Sequence, residues 1–110
     1  GIAVSSGNSF VHETESQVIL NGSYNINFTM DLVLKDTGLF DDLAKKLNAG
    51  LEISPKIVEI FKDGQKKYGS RAWSSMIVKR MEDANNIDFR ADGFPEELTD
   101  NEPEEKGYEI

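Results

Sequence analysis

The sequence predicts an all-α protein, a small antiparallel helical bundle followed by an extended acidic C-terminal arm. Three observations support this prediction. Apolar residues recur at helical spacings along much of the chain, no stretch alternates convincingly between polar and apolar residues, and short connections separate the periodic segments. We assign residues 1–86 to the helical domain. Residues 87–110 form the predicted arm, and its part from Asp92 onward holds two of the three prolines and few apolar anchors: Phe94, Leu98, Tyr108 and Ile110.

The first helix is predicted from about Ser9 to Leu20. The preceding segment, SSGNS at residues 5–9, consists of small hydrogen-bonding residues that are typical of a turn or a helix start. Asn21 and Gly22 break the helical pattern, because an Asn-Gly pair favours a turn over a continued helix.

The second helix has the clearest pattern. Asn27 can cap its start, and Gly50 is a natural stop. Its apolar residues recur at intervals of four and seven, and we expect them to form the buried face: Phe28, Leu32, Leu39, Leu43 and Leu47, widened by Val33, Phe40 and Ala44. Gly38 interrupts this helix, where glycine costs roughly 1 kcal/mol relative to alanine.

Two further helices follow. The third is predicted to begin with Ser54 as N-cap and Pro55 in the first turn and to end at Gly69, with a buried line of Ile57, Phe61, Gly64 and Tyr68. The fourth is predicted to begin at the helix-capping Ser74 or Ser75, with Trp73 packing just outside it. Its expected buried residues are Ile77, Met81 and Ala84.

Composition and charge exclude several classes of protein. The 110 residues contain no cysteine, so disulfides and thiolate sites are absent, which suits a cytoplasmic location. Residues 91–110 contain eight acidic residues against Lys106 and therefore carry −7 of the net charge of −8. An acidic arm repels phosphate backbones, so we expect no nucleic-acid partner. No apolar run approaches the roughly 20 residues of a membrane span, so no membrane partner is expected either.

The glycine at position 38 lies three residues after Lys35, in the segment KDTGLFDD. A helical spacing of seven relates Lys35 to Phe28 on one side and to Asp42 on the other, which predicts one shared face. A residue without a side chain beside a lysine lets a backbone or a flat ligand approach closely. The sequence leaves open whether a neighbouring helix or a ligand does so, and Lys35 and Asp36 are also compatible with an ordinary solvated surface.

No complete catalytic constellation or metal site can be assembled from the residue pattern. His12 is the only histidine and lacks a partner at metal-binding spacing, and the adjacent acids Asp41 and Asp42 point about 100° apart on a helix. No two of the nine glycines are two residues apart, so neither a dinucleotide-binding GxGxxG motif nor a phosphate-binding loop is present in the sequence.

Several segments resemble the C-terminal helical domain of the NAD(P)-dependent β-hydroxyacid dehydrogenases, the family of 3-hydroxyisobutyrate dehydrogenase and tartronate semialdehyde reductase. KDTGLFDD is similar to the Lys-Asp cofactor motif of that family, and Phe28 matches a recurrent aromatic upstream of it. The resemblance spans about residues 4–84, and its remaining segments are SSGNSF at the start, GLEISP between the second and third helices and WSSMIVKRMED near the end.

The resemblance implies a 6-phosphogluconate-dehydrogenase-like helical domain that binds NAD or NADP. It implies that Lys35 reaches the cofactor near the nicotinamide ribose, that Asp36 holds the helix or touches the site, and that Phe28 lines the substrate pocket. It also places Ser5, Ser6 and Gly7 near the start of the domain, with a less definite role. The implied parent protein is a homo-oligomer that oxidises or forms a short β-hydroxyacid.

The motifs that this family carries in its Rossmann domain and catalytic lysine helix do not occur in these residues. We therefore expect a C-terminal fragment, with Gly1 as a cloning scar, that closes over the cofactor and oligomerises but is inactive alone. The alternative is a stand-alone acidic helical module for protein interaction, in which Lys35 and Asp36 are only surface charges. Replacing Lys35 by Ala separates the two, because only the first predicts an effect on cofactor use.

Overall fold

The computed structural model describes residues 1–98 together with residues 103, 106 and 107. Four α-helices follow one another: α1 (Phe10–Asn21), α2 (Met30–Lys46), α3 (Ser54–Tyr68) and α4 (Lys79–Asn85). Two 3-10 turns, Ile2–Val4 and Ser74–Val78, precede α1 and α4. Within the described residues there is no β-strand, only an isolated antiparallel bridge between Thr29 and Trp73. The all-α fold class is confirmed.

Helix α1 lies one residue further along the chain than predicted, at Phe10–Asn21 instead of about Ser9 to Leu20. The Ser9 hydroxyl accepts a hydrogen bond from the backbone N–H of His12 at 3.0 Å, which satisfies one of the free donors of the first turn. Gly22 follows the helix in the left-handed conformation, with φ of 92°, and its N–H donates to the carbonyls of Val18 and Ile19.

Helix α2 begins two residues later than predicted, so Asn27 is not its cap. Asn27 has φ of 57°, and Thr29 occupies the N-cap position instead. The reason is a tertiary contact, because the N–H groups of Met30 and Asp31 donate to the carbonyls of Ala72 and Ser70 at 2.9 and 3.0 Å. A neighbouring segment therefore satisfies the free donors that a capping side chain usually satisfies.

Helix α3 has the predicted extent except at its first residue. Pro55 lies in the first turn and Gly69 ends the helix, as predicted, but Ile53 is the N-cap. The Ser54 hydroxyl donates to the Asp41 carboxylate at 2.5 Å. Ser54 is therefore not a cap, because its side chain ties the start of α3 to α2. Ile57 is more exposed than predicted, whereas Gly64 is buried in the core.

The predicted fourth helix begins as a 3-10 turn, and its buried face differs from the prediction. Ser74 and Ser75 are buried, and the Ser75 hydroxyl donates to the Tyr24 carbonyl at 2.5 Å, so neither serine acts as a helix cap. Met81 and Ala84 are exposed, while Glu82 is 1% exposed. The change from 3-10 to α geometry at Lys79 alters the helical phase and turns Glu82 toward the core.

The packing of α2 against α3 is the largest helix–helix contact of the fold. Gly64 of α3 lets the first residue of α2 come close, because a Cβ at position 64 would lie 3.3 Å from Met30 Cε, and it also makes room for Ile77 of the second 3-10 turn, whose Cδ1 would lie 2.8 Å away. The predicted buried face of α2 is only partly buried. Ala44 is in the core, but three leucines at four-residue spacing are open to solvent, with Leu39 63%, Leu43 54% and Leu47 70% exposed.

Residues 87–98 form no helix or strand and lie against the end of α1 and the connection to α2. Polar contacts hold this segment, whereas its predicted apolar anchors Phe94 and Leu98 are each 37% exposed. The other two predicted anchors, Tyr108 and Ile110, lie outside the described residues. In the part of the chain that is described, no helix combines the length and apolar character needed to cross a membrane.

Candidate functional site

A groove of about 500 Å³ runs between α2 and α3. Ten residues line this α2–α3 groove, six of them charged, and they come from successive turns of both helices: Asp31, Leu34, Lys35, Gly38, Asp41, Asp42, Lys45, Val58, Lys62 and Gln65. Four residues of the KDTGLFDD segment therefore line the groove, and the two helices that form it also form the largest packing contact of the fold.

Lys35 lies on the wall of this groove with its side chain 60% exposed. Its Nζ forms an ion pair of 3.2 Å with Asp36 Oδ1. An exposed pair of this kind contributes little to stability, about 0–1 kcal/mol. The ammonium group therefore keeps most of its capacity to donate hydrogen bonds to a molecule in the groove.

Gly38 lines the same wall and leaves a gap there because it has no side chain; this gap is called the notch. No atom of the described residues lies within 4 Å of the position where its Cβ would stand, outside its chain neighbours and its own helical turn. No neighbouring helix therefore occupies the space that the missing side chain leaves. Close packing against a neighbouring helix is thus not the explanation for Gly38, which opens onto the groove. It does explain Gly64 on α3.

The other predicted site residues lie at the margin of the groove or away from it. Asp36 does not line the groove and is linked to it through its ion pair with Lys35. Phe28 precedes α2, so the expected shared helical face with Lys35 and Asp42 holds only for the latter two. The Phe28 carbonyl accepts a hydrogen bond from the N–H of Ser74 at 2.7 Å, which fixes the backbone there.

Ser5, Ser6 and Gly7 form an exposed turn ahead of α1 and do not line the groove. The Ser5 hydroxyl donates to the Ile2 carbonyl at 2.8 Å and accepts from the Gly7 N–H at 3.2 Å. These contacts close the turn on itself. The structure thus brings Lys35 and Gly38 together and leaves the SSG segment at a separate place on the surface.

The groove is lined by both acidic and basic side chains. A side chain that already has a hydrogen-bond or ion-pair partner in the protein is less available to a ligand. Asp41 is engaged by Ser54. The pKa of Asp31 is lowered, chiefly by the hydrogen bond from Thr29 and further by the nearby Arg71 and the Leu32 N–H. These two carboxylates are thus held by the protein.

Two lysines that the sequence did not single out complete the lining. Lys45 comes from the last turn of α2, and Lys62 comes from α3. Among the described residues neither forms an ion pair. Only the pairing of α3 with α2 brings Lys62 to Lys35, and sequence spacing carries no signal for it.

This arrangement is suited to binding. The lining carries three lysines and three aspartates. Asp31 and Asp41 are held by other residues of the protein, whereas Asp42 faces the groove with the lysines. The lysines can donate hydrogen bonds to oxygen atoms of a molecule beside Gly38. The described residues contain no cluster of three metal-binding side chains, and His12 is on α1 and does not line the groove.

Comparison with known protein families identifies one family for this chain. Residues 1–81 match the family model described as NAD-binding of NADP-dependent 3-hydroxyisobutyrate dehydrogenase. Searches of curated proteins and of solved structures returned no match. The family match covers α1, α2 and α3 and ends within α4, so it includes the whole α2–α3 groove.

Proposed function

The chain belongs to the family of NAD-binding domains of NADP-dependent 3-hydroxyisobutyrate dehydrogenases, and we propose on that basis that its α2–α3 groove closes over a bound NAD or NADP. The observation that carries this proposal is the open notch at Gly38 beside Lys35. A dinucleotide can approach the α2 backbone there without displacing a side chain.

Each residue of the proposed site has a role that follows from its chemistry. Lys35 donates hydrogen bonds to ribose and neighbouring oxygens, and Asp36 positions it through the 3.2 Å ion pair. Lys45 and Lys62 add positive charge for the phosphates. Phe28, 36% exposed ahead of α2, provides part of the wall of the adjoining substrate pocket. The nicotinamide ring supplies the hydride acceptor or donor when it is bound.

The reaction of the parent protein is proposed to be the reversible oxidation of a short β-hydroxyacid of the 3-hydroxyisobutyrate or tartronate semialdehyde type, in the cytoplasm. We further propose that the 110 residues alone do not transfer hydride. In the parent protein these residues would cover the bound cofactor and place positively charged side chains beside it. Incubating the chain with NADP and 3-hydroxyisobutyrate should give no NADPH, and sustained formation of NADPH by the chain alone would contradict this.

The role of Lys35 is tested by comparing Lys35→Ala with Lys46→Ala in the dehydrogenase that carries this domain. Both residues are lysines of α2, but only Lys35 lines the groove. A hydrogen bond from a charged group is worth about 1.5–3 kcal/mol, so Lys35→Ala should weaken NADP binding roughly 10- to 100-fold. Lys46→Ala should leave the dissociation constant unchanged, and circular dichroism should show both variants folded.

Equal dissociation constants for the two variants would remove the proposed mechanism. If in addition neither NAD nor NADP bound, the alternative of an acidic helical interaction module would take its place. The exposed leucines of α2 would then be its contact surface.

Homo-oligomerisation is proposed from the same exposed leucines. Leu39, Leu43 and Leu47 are four residues apart and form one apolar stripe along α2, named here the α2 stripe. A continuous apolar stripe on a surface helix is typical of a face that another element covers. We propose that a second subunit or the rest of the parent protein covers it.

A further inference from the structure

Residues 87–98 lie beyond the part of the chain that the family model matches, and they form a strap across the end of α1. The Ala91 N–H donates to the Leu20 carbonyl at 3.0 Å, and the Asn21 side-chain amide donates to the Phe94 carbonyl at 2.9 Å. The Ser23 hydroxyl donates to the Glu96 carbonyl at 2.5 Å. The strap is therefore fixed to the domain along most of its length.

Three side chains, those of Tyr24, Glu82 and Arg90, form a further hydrogen-bonded contact between the strap and the core, named here the latch. Glu82 is 1% exposed, and its carboxylate accepts from the Tyr24 hydroxyl at 2.6 Å and from Arg90 Nη1 at 3.3 Å. Arg90 Nη2 also donates to the Tyr24 hydroxyl at 2.9 Å, and its guanidinium lies 5.2 Å from the centre of the Tyr24 ring. Gly22 leaves room for this arginine, since a Cβ there would lie 2.6 Å from Arg90 Nε.

The latched strap completes a second cleft, which is separate from the α2–α3 groove. This strap cleft has a volume of about 520 Å³, and three parts of the chain line it: Asn25, Ile26 and Asn27, then Trp73, then Glu97 and Leu98. Asn27, one of the lining residues, has a left-handed backbone with φ of 57°, a conformation that asparagine adopts more readily than most residues.

The lining has the chemistry of a site for a small cation. Among the lining residues that the structure describes, Glu97 is the only one with an ionisable side chain. Asn25 and Asn27 bring amide groups, which can accept or donate hydrogen bonds, and Trp73 brings an indole, a ring type whose face attracts positive charge. A carboxylate, two amides and an indole around one cleft favour an ammonium group and disfavour an anion.

We propose that the strap cleft binds a small aliphatic amine, with Glu97 as the anionic partner of its ammonium group and Trp73 as the ring against which it lies. The residues of this cleft differ from those proposed for the cofactor, so either proposal can fail without the other. Two of the lining residues, Glu97 and Leu98, belong to the strap and therefore lie outside the residues that match the family model.

The test uses three three-carbon probes of similar size and different charge: 1,3-diaminopropane, glycerol and malonate. They are titrated into the isotope-labelled chain, and the indole signal of Trp73 and the amide signals of Asn25 and Asn27 are followed by NMR. The diamine should shift these signals saturably, glycerol should do so at least about tenfold more weakly, and malonate should not. Such a preference corresponds to roughly 1.4 kcal/mol.

Glu97→Gln and Glu96→Gln form the matched pair of variants. They change the net charge equally at neighbouring positions, but only Glu97 lines the cleft. Glu97→Gln should weaken diamine binding about tenfold, to the level of glycerol, while Glu96→Gln should leave it unchanged. Arg90→Gln should release the strap and abolish the Trp73 shift, with the α-helical circular dichroism signal retained.

Three results would overturn the proposal. The first is the absence of saturable shifts with the diamine, and the second is binding of malonate as strong as that of the diamine. The third is an equal effect of Glu96→Gln and Glu97→Gln, which would reduce the binding to unspecific attraction by an acidic chain.

Discussion

At the scale of single residues, two glycines of neighbouring helices show how the same residue type serves different purposes. Gly64 is buried where α3 meets Ile77 and Met30, and a Cβ there would lie 2.8 Å from Ile77 Cδ1 and 3.3 Å from Met30 Cε. Gly38 has open space at the equivalent position. The first glycine is required for packing, while the second weakens its helix without a packing benefit.

Substituting alanine at these glycines should therefore shift stability in opposite directions. Gly38→Ala gains helix propensity and should raise the free energy of unfolding by up to about 1 kcal/mol. Gly64→Ala overpacks the core and should lower it by roughly 1–3 kcal/mol. Urea unfolding of the two variants measures both effects. A destabilised Gly38→Ala variant would show that a contact fills the notch.

The sequence predicts a residue's chemistry better than its surroundings. Lys35 and Gly38 could be singled out from their spacing, and both line the groove. The latch of Tyr24, Glu82 and Arg90 could not be predicted, because its members are distant in sequence and only tertiary packing brings them together. Glu82 in particular occupies a position where the helical pattern predicts solvent.

At the scale of helices, a network of charged side chains ties α3 to α4. The Asp63 carboxylate accepts from Arg80 Nε at 2.6 Å and from Lys67 Nζ at 3.0 Å. These two hydrogen bonds, that from Arg80 foremost, lower the pKa of Asp63. A carboxylate whose pKa is lower in the folded than in the unfolded chain stabilises the fold above its unfolded pKa of about 3.9. This contribution is lost as the pH falls through the lower, folded value.

Asp63→Asn should accordingly destabilise the protein at neutral pH, and its deficit relative to the native chain should shrink below about pH 4. The measurement is the free energy of unfolding in urea as a function of pH. Asp88→Asn is the control, because Asp88 is exposed and forms no ion pair within the described residues. A deficit that stayed constant from neutral to acidic pH would contradict the assigned role of Asp63.

Helix starts show where local signals suffice and where they do not. The segment of small hydrogen-bonding residues at 5–9 predicts the start of α1, and Ser9 of that segment caps the helix. The start of α2 does not follow from its sequence, because the carbonyls of Ser70 and Ala72 replace the capping side chain of Asn27. The Ser54 hydroxyl donates a hydrogen bond to Asp41 of α2, so a residue type that often caps helices makes a tertiary contact here instead.

At the scale of the whole molecule, the α2 stripe is an apolar surface that no described residue of the same chain covers. Because three leucines on one helix face are exposed, we expect the chain to self-associate as its concentration rises. Leu43→Lys at the centre of the stripe should shift light scattering to the monomer. Val11→Lys, at a similarly exposed apolar position of α1, should not. A native chain that stays monomeric at high concentration would contradict the prediction.

The central claim of this account is that a nicotinamide dinucleotide contacts the α2–α3 groove, and the location of bound NADP on the chain tests it most directly. In an NMR titration with millimolar NADP, the largest amide shifts should occur at Lys35, Gly38 and Lys62, which line the groove from both helices. Shifts confined to α1 or to the strap, or no shift at any residue, would contradict the claim.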